Sequence, residues 1–413
     1  MFMFRLLVYL ILSALVTTSK AEEIYPNLDQ KIKGYMTYRE NQTYENVVTT
    51  TPFNKKTLDL NVLELEAEYE TSIHSKFEFE IEIEHGGTGS SLEYEPLEEF
   101  GEFESEIEKG GEVILSKIFY RHEYENQNFV QVGKMAVPIS LSNWKSSFLD
   151  YSSVEASAAE AALIPNEWNE VGIQYQKKFS EADINIRLLL SSGLNSEFFR
   201  KYNWVAGGYQ KKFERINAEN LAATLAVEYG SIFSGKGLAM AFYYGDTSKN
   251  RFKKNKLQDE AVLLITSVFG AWNWKDFEVR SQFIKGSLSN SDKVSLANAT
   301  LTTSVNPGIF SSIGAEAQIE MIELAYVIHK NDVSFLKSFV SYEHVDSMQT
   351  VKGSILKDDR YNKVFSSLGL MKKWDNVFFT KFQYTKHSNA LTGLLPTNEY
   401  QLAFGFDWTG YDF

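Results

Sequence analysis

One pattern dominates the chain: segments of about ten residues in which large apolar and polar side chains alternate, each followed by a polar break. Leu63, Leu65, Ala67 and Tyr69 alternate with Glu64, Glu66, Glu68 and Glu70. Phe77, Phe79, Ile81 and Ile83 alternate with Glu78, Glu80, Glu82 and Glu84. Leu238, Met240, Phe242 and Tyr244 alternate with Ala239, Ala241 and Tyr243. A period of two sends successive side chains to opposite faces of a strand. A helix would need apolar residues at i, i+3 and i+4, and none of these windows supplies them. The same pattern closes the sequence, where Tyr400, Leu402, Phe404, Phe406 and Trp408 alternate with Gln401, Ala403, Gly405 and Asp407.

The first residues read as an address. Arg5 gives a positive start, residues 6–16 form a short apolar run, and Ser19-Lys20-Ala21 fits a leader cleavage site. The expected organisation is a signal peptide over residues 1–21 and one domain over residues 22–413. The run is too short for a spanning helix, which needs about 20 residues, and no later stretch reaches that length. A chain without a spanning helix crosses a bilayer only as a closed barrel. Such a barrel shows lipid only alternate strand residues, so 44% hydrophobic residues is no obstacle. The 30 Phe, 22 Tyr and 7 Trp would supply aromatic girdles at two interfaces, and only 7 Pro suits long strands. There is no Cys, which excludes disulfides and thiolate sites. Removing Arg5 and Lys20 takes the net charge from −13 to −15, which argues against nucleic acid as a partner.

Connections come in two kinds. Short ones fall at 71–75, 125–128, 180–183, 274–276 and 373–376. Long ones fall at 45–57, 86–111, 139–166, 194–220, 246–258, 346–360 and 388–398. Short turns at one end and long loops at the other mark an antiparallel transmembrane β-barrel. With both termini on the short-turn side the strand number is even, and the spacing gives 16, with 14 or 18 as alternatives. Residues 203–213 are assigned to a long loop because a strand there breaks the parity. A barrel of this size leaves an aqueous channel. The terminal aromatic strand, with Phe404, Phe406, Trp408 and the last residue Phe413, resembles the signal read by the outer-membrane barrel assembly machinery. Tyr411 and Phe413 are out of phase with Trp408, so either a bulge near Thr409 or a short tail is expected.

The third long loop carries VEASAAEAAL at residues 154–163, a helix by propensity stopped by Pro165. A helix there most simply folds into the lumen and narrows it, and a helix on the outer surface is the bland alternative. Its charges are Lys145, Asp150, Glu155 and Glu160. Glu64, Glu66, Glu68, Glu78, Glu80 and Glu82 share one face of adjacent strands, so they are expected to line the pore and attract cations. Arg187, Arg280 and Lys381 fall on polar-face positions too. The six His are scattered singly, no G-x-S-x-G occurs, and Gly86-Gly87-Thr88-Gly89 has no following Lys-Ser/Thr. No catalytic residue, metal or cofactor is therefore expected.

Several stretches resemble the phosphate-selective porin O and P family. FVQVGKMAVPISL at 129–141 resembles its Gly-Lys strand motif with a following Pro. LIPNEWNEVGI at 163–173, LAMAFYYGDT at 238–247 and FVSYEHVDSMQ at 339–349 resemble a strand re-entry and two strand ends. The resemblance implies a 16-stranded homotrimer with an inward-folded third loop, set in outer-membrane lipid and lipopolysaccharide. It does not carry phosphate selectivity over, because the matching loop is acidic overall. The expected function is passive diffusion of small hydrophilic solutes or ions. The alternatives are a phosphate or other anion channel, or a barrel without transport, such as an adhesin or an outer-membrane hydrolase.

Overall fold

The computed structural model describes residues 28–44, 51–87, 91–93, 106–108, 111–144, 147–210, 216–252, 255–301 and 311–410. The expected leader, Lys145 and Phe413 lie outside them. The strands are β1 (Leu28–Tyr44), β2 (Pro52–Ser72), β3 (Ser75–Glu84), β4 (Ser91–Glu93), β5 (Glu106–Glu108) and β6 (Glu112–Glu123). Then follow β7 (Phe129–Ala136), β8 (Asn169–Phe179), β9 (Ile184–Ser192), β10 (Leu221–Ser231), β11 (Lys236–Asp246) and β12 (Val262–Trp274). The last six are β13 (Phe277–Leu288), β14 (Glu316–Lys330), β15 (Phe335–Thr350), β16 (Asn362–Lys373), β17 (Phe378–Asn389) and β18 (Thr397–Gly410). The strands β4 and β5 pair only with each other, and the other 16 close into an antiparallel barrel in chain order. Closure is made by β1 and β18, paired without interruption from Gln30↔Gly410 to Asn41↔Glu399. The ladder stays in phase to Gly410 with no bulge near Thr409; the alternative, a short tail, falls on residues 411–413, outside those described.

Short turns crowd one end of the barrel and long loops the other, and both Leu28 and Gly410 sit at the short-turn end. Two expected long connections are corrected, because strands occupy part of them. Strand β2 already begins at Pro52, and β15 continues to Thr350. The reason differs at each. Residues 52–56 are wet on both faces, whereas 345–348 are buried on both, so neither shows alternation. A further long connection, at 289–315 and sixth in chain order, carries the helix Ser291–Ala299 and was not anticipated.

The outward face is apolar. Leu238, Met240, Phe242 and Tyr244 are exposed, while Ala239, Ala241 and Tyr243 beside them are buried. Phe179, Tyr229, Trp272, Trp274, Phe277 and Tyr326 stand exposed near the short-turn end. An exposed apolar belt running around a closed sheet is costly in water and suited to hydrocarbon, with aromatic rims at the headgroup level.

The inward face divides in two. From β10 to β14 much of it is apolar: Ala222, Ala226, Ala241, Ile265, Ile284 and Ile319 are all buried, interrupted by polar groups such as Glu228, Ser267, Gln282 and Glu323. Loop residues cover it, among them Ile139, Leu141, Leu163, Leu194, Phe199 and Trp204. From β1 to β9 the inward face is largely charged or amide-bearing, with Phe119, Phe129 and Met135 among the polar groups. The lumen is therefore not wholly aqueous, as a barrel of this size suggests; a hydrophobic core fills one side of it.

Candidate solute passage

Loop 137–168, between β7 and β8, runs through the interior. Its partners lie on strands far around the barrel, which only a path across the lumen can reach. Ser267 on β12 donates to the Ile139 carbonyl at 2.5 Å, and the Leu141 amide donates to Gln282 on β13 at 3.1 Å. The Ser152 amide donates to Glu323 on β14 at 3.1 Å, and the Val154 amide to Gln383 on β17 at 2.8 Å. Ser147 donates to Asp407 on β18 at 3.1 Å, and Arg39 on β1 pairs with Glu155.

The expected helix at 154–163 is shorter, Ala158–Ala161. Ser157 caps it by accepting from the Glu160 amide, and Glu343 on β15 accepts from both the Ser157 hydroxyl (2.6 Å) and the Ala159 amide (2.9 Å). The wall thus takes the backbone donor at Val154 and the start of the helix, so residues 154–156 serve docking instead of helix. Glu160 is fully buried and accepts from Ser140 (2.5 Å), Ser142 (3.0 Å) and Gln282 (2.8 Å). Burial pushes its carboxyl above the usual range, and those donors hold it back.

A second loop, 193–220, also turns inward. Trp204 is fully buried, donates to the Gly314 carbonyl at 3.0 Å and lies on Gly286 of β13, where a Cβ would come within 2.1 Å of its ring. The Val205 amide donates to the Leu163 carbonyl at 3.3 Å, so this loop rests on the first. Its far side reaches β15 and the loop beyond it through Ser347, which donates to the Lys201 carbonyl, and the Lys201–Asp358 pair at 3.3 Å. Nothing in the sequence reading marked this loop as inward. The available signal was the apolar inner face of β10–β14, which a water-filled wall does not need.

Among the described residues, a cavity of about 800 Å³ lies open along β1–β9. Glu64, Glu66, Glu78, Glu80, Arg187 and, from the loop, Asp150 line it. Glu68, Glu82, Arg280 and Lys381 are not among its lining residues. Lys381 is a correction in role: it points inward but is 1% exposed, and its ammonium donates to the carbonyls of Phe148 (2.6 Å), Tyr151 (2.9 Å) and Ser153 (2.7 Å). Arg280 is likewise buried, 3.8 Å from Glu323 and over the Tyr151 ring. Glu155 and Glu160 are spent on docking the loop.

The expected wall of free carboxylates is also corrected. The register sets Glu64 opposite Glu82, Glu66 opposite Glu80, and Glu68 opposite Glu78, three like-charged pairs. Such pairs are unfavourable alone. Flanking cations offset them: Lys33–Glu64 at 2.5 Å, Lys31–Glu66 at 2.5 Å, Lys76–Glu68 at 2.8 Å and Lys117–Glu80 at 2.9 Å. Lys31 and Lys33 reach β2 from β1, and Lys117 reaches β3 from β6. The sequence shows the glutamates as a run because they alternate within two strands; their partners lie on neighbours separated by loops. At the root of the loop, the half-buried Glu167 also lines the cavity, and burial plus the nearby Glu64 and Glu80 push its carboxyl up to about 7.

The overall shape matches solved outer-membrane barrels. The outer membrane channel DcaP of Acinetobacter baumannii aligns over 93% of this chain and 97% of its own, with a TM-score of 0.54 at 9% identity. The anion-selective porin from Comamonas acidovorans aligns over 93% and 100%, with a TM-score of 0.51 at 10% identity. OmpF of Salmonella typhi, in complex with daunomycin, aligns over 94% and 100%, with a TM-score of 0.52 at 10% identity. No family model and no curated protein matches the sequence. At these identities the likeness establishes the fold: a 16-stranded closed barrel of the kind porins have.

Proposed function

We propose that this chain is an outer-membrane porin, a passive channel for small hydrophilic solutes and ions. The observation that carries the reading is the charged cavity of about 800 Å³ along β1–β9, inside a closed barrel whose outer belt is apolar and whose other half holds a buried hydrophobic cluster. A barrel built for adhesion or rigidity has no need of a charged internal vestibule. A non-catalytic role, export through a leader at residues 1–21, and assembly into outer-membrane lipid and lipopolysaccharide by the barrel assembly machinery belong to the same reading. So do the homotrimer and the porin O and P family, both of which rest on the strand motifs at 129–141 and 163–173. The lysines paired with Glu64, Glu66, Glu68 and Glu80 reduce the cation preference expected of the glutamate wall, and phosphate selectivity is not part of the proposal.

The test is single-channel conductance of refolded protein in planar bilayers, with reversal potential in a salt gradient. Stepwise conductance is the expected result. Absence of steps from protein shown to be folded, by its heat-dependent electrophoretic mobility, overturns the channel and moves weight to an adhesin or a hydrolase.

A further inference from the structure

Most cations of the inner wall have a carboxylate within salt-bridge distance; Arg187 is the exception among the described residues that line the cavity, and Arg121 has only Glu123 on the rim, at 3.9 Å. Both arginines are instead held by amides and aromatic rings. The Arg121 Nε donates to Gln131 at 3.0 Å, and its guanidinium lies 4.4 Å from the Phe129 ring centroid. The Arg187 Nε donates to Gln176 at 2.9 Å, and its guanidinium lies 4.0 Å from the Trp144 ring centroid. The register places them on one patch, since Arg121 faces Gln131 on β7, and Phe129 on β7 faces Gln176, which faces Arg187. Their charges act on each other.

The carboxylate whose charge acts on Arg187 is occupied elsewhere: Glu228 accepts from Trp144 Nε1 (3.2 Å), Asn185 (3.1 Å) and the Ile232 amide (2.9 Å). Each guanidinium is thus fixed in plane by one edge and one face, its Nη groups make no hydrogen bond among the described residues, and both side chains line the cavity. Fixing a planar donor fork in advance lowers the entropy cost of taking a carboxylate. Around the pair the lining is mixed: Phe119, Phe129, Met135 and Trp144 supply apolar surface, and Gln131 and Gln176 supply amides, with Glu78 and Glu123 on the Arg121 side.

We infer that Arg121 and Arg187 form a solute subsite for small organic acids, the guanidiniums taking the carboxylate and the surrounding rings the apolar body. An inorganic phosphate ion would satisfy the guanidiniums but would lose hydration against aromatic walls with nothing in return. An apolar acid gains at both ends. The inference rests on the channel reading, and the Lys–Glu ladder beside the site supplies no competing free cation, since Lys31, Lys33 and Lys117 are each paired.

The experiment uses the full-length protein in planar bilayers in KCl, with benzoate, benzyl alcohol or inorganic phosphate added as probes. Benzoate is expected to reduce the current with saturation, benzyl alcohol to leave it unchanged, and phosphate to act at least tenfold more weakly. R121Q and R187Q, checked for folding by heat-dependent mobility, are expected to raise the half-blocking benzoate concentration roughly tenfold, the size of one charge-assisted contact. R187K keeps the charge without the planar fork and is expected to fall between. Equal block by phosphate and benzoate, or the same half-block in wild type and variants, overturns the subsite while leaving the channel standing. Absence of KCl steps in the wild type overturns the channel itself.

Discussion

Lys381→Met is the sharpest test of how the first inward loop is held. The methionine keeps the length and the apolar stem that packs on Tyr151, whose ring lies 4.1 Å from the ammonium, and removes the charge and three hydrogen bonds. Those bonds go to carbonyls at positions 148, 151 and 153, a stretch that also hangs on Glu323 through Ser152 and on Gln383 through Val154. A charge-assisted bond contributes roughly 1.5–3 kcal/mol, but burying the ammonium costs several kcal/mol, so the three do not simply add. A net loss of about 3 kcal/mol in loop docking is a fair figure, which is roughly 150-fold in the ratio of docked to undocked loop. The barrel itself should survive, because its ladder bonds are untouched. The expected phenotype is normal heat-dependent mobility, larger and noisier conductance steps, and new protease cuts within 147–156. If the folded variant shows wild-type steps, noise and protease resistance, then Lys381 does not hold the loop and the role assigned to it is wrong.

Gly286→Ala places a Cβ 2.1 Å from the Trp204 ring, which must leave its notch; the overpacking cost is about 1–3 kcal/mol, and conductance should rise, while unchanged conductance with Trp204 still quenched from solvent would argue against the second inward loop. Glu167 binds a proton more tightly in the folded state than unfolded, so stability should fall as pH rises from about 4.5 to about 7 and be flat above. The folded group ionises around pH 7, so the cavity gains negative charge there and cation preference in reversal-potential measurements should increase between about pH 6 and 8, and Glu167→Gln should flatten that dependence. Phe242→Arg puts a charge in the middle of the apolar belt and should destabilise the barrel by about 2–4 kcal/mol in urea titrations in lipid, whereas a change below about 0.5 kcal/mol would place this face away from hydrocarbon.

The strand count, the antiparallel order and the two unlike ends were legible in the sequence because each strand writes its own alternation. Leu238 to Tyr244 shows this: a period of two in the chain is a period of two in space, and lipid sorts the faces. Strand ends were less legible where alternation stops. Pro52 to Lys56 projects into water on both faces, and Val345 to Met348 is covered on both, so neither carries the pattern. The candidate passage was half legible. Glu64, Glu66, Glu78, Glu80 and Arg187 border the internal cavity, on the face that the parity of the alternation points to. Lys381 and Arg280 obey the same parity and yet are buried under a loop, which parity has no means of showing.

Local alternation, a property of consecutive residues, determined that this chain closes into a 16-stranded barrel with an apolar outer belt. The tertiary structure decided what the lumen contains. Whether Glu64 is a free charge depends on Lys33, and whether Lys381 meets water depends on Phe148, Tyr151 and Ser153, more than 200 residues away. Charge pairing and burial are set by distances through space, and two long loops folding inward bring together groups whose separation along the chain carries no trace of that contact.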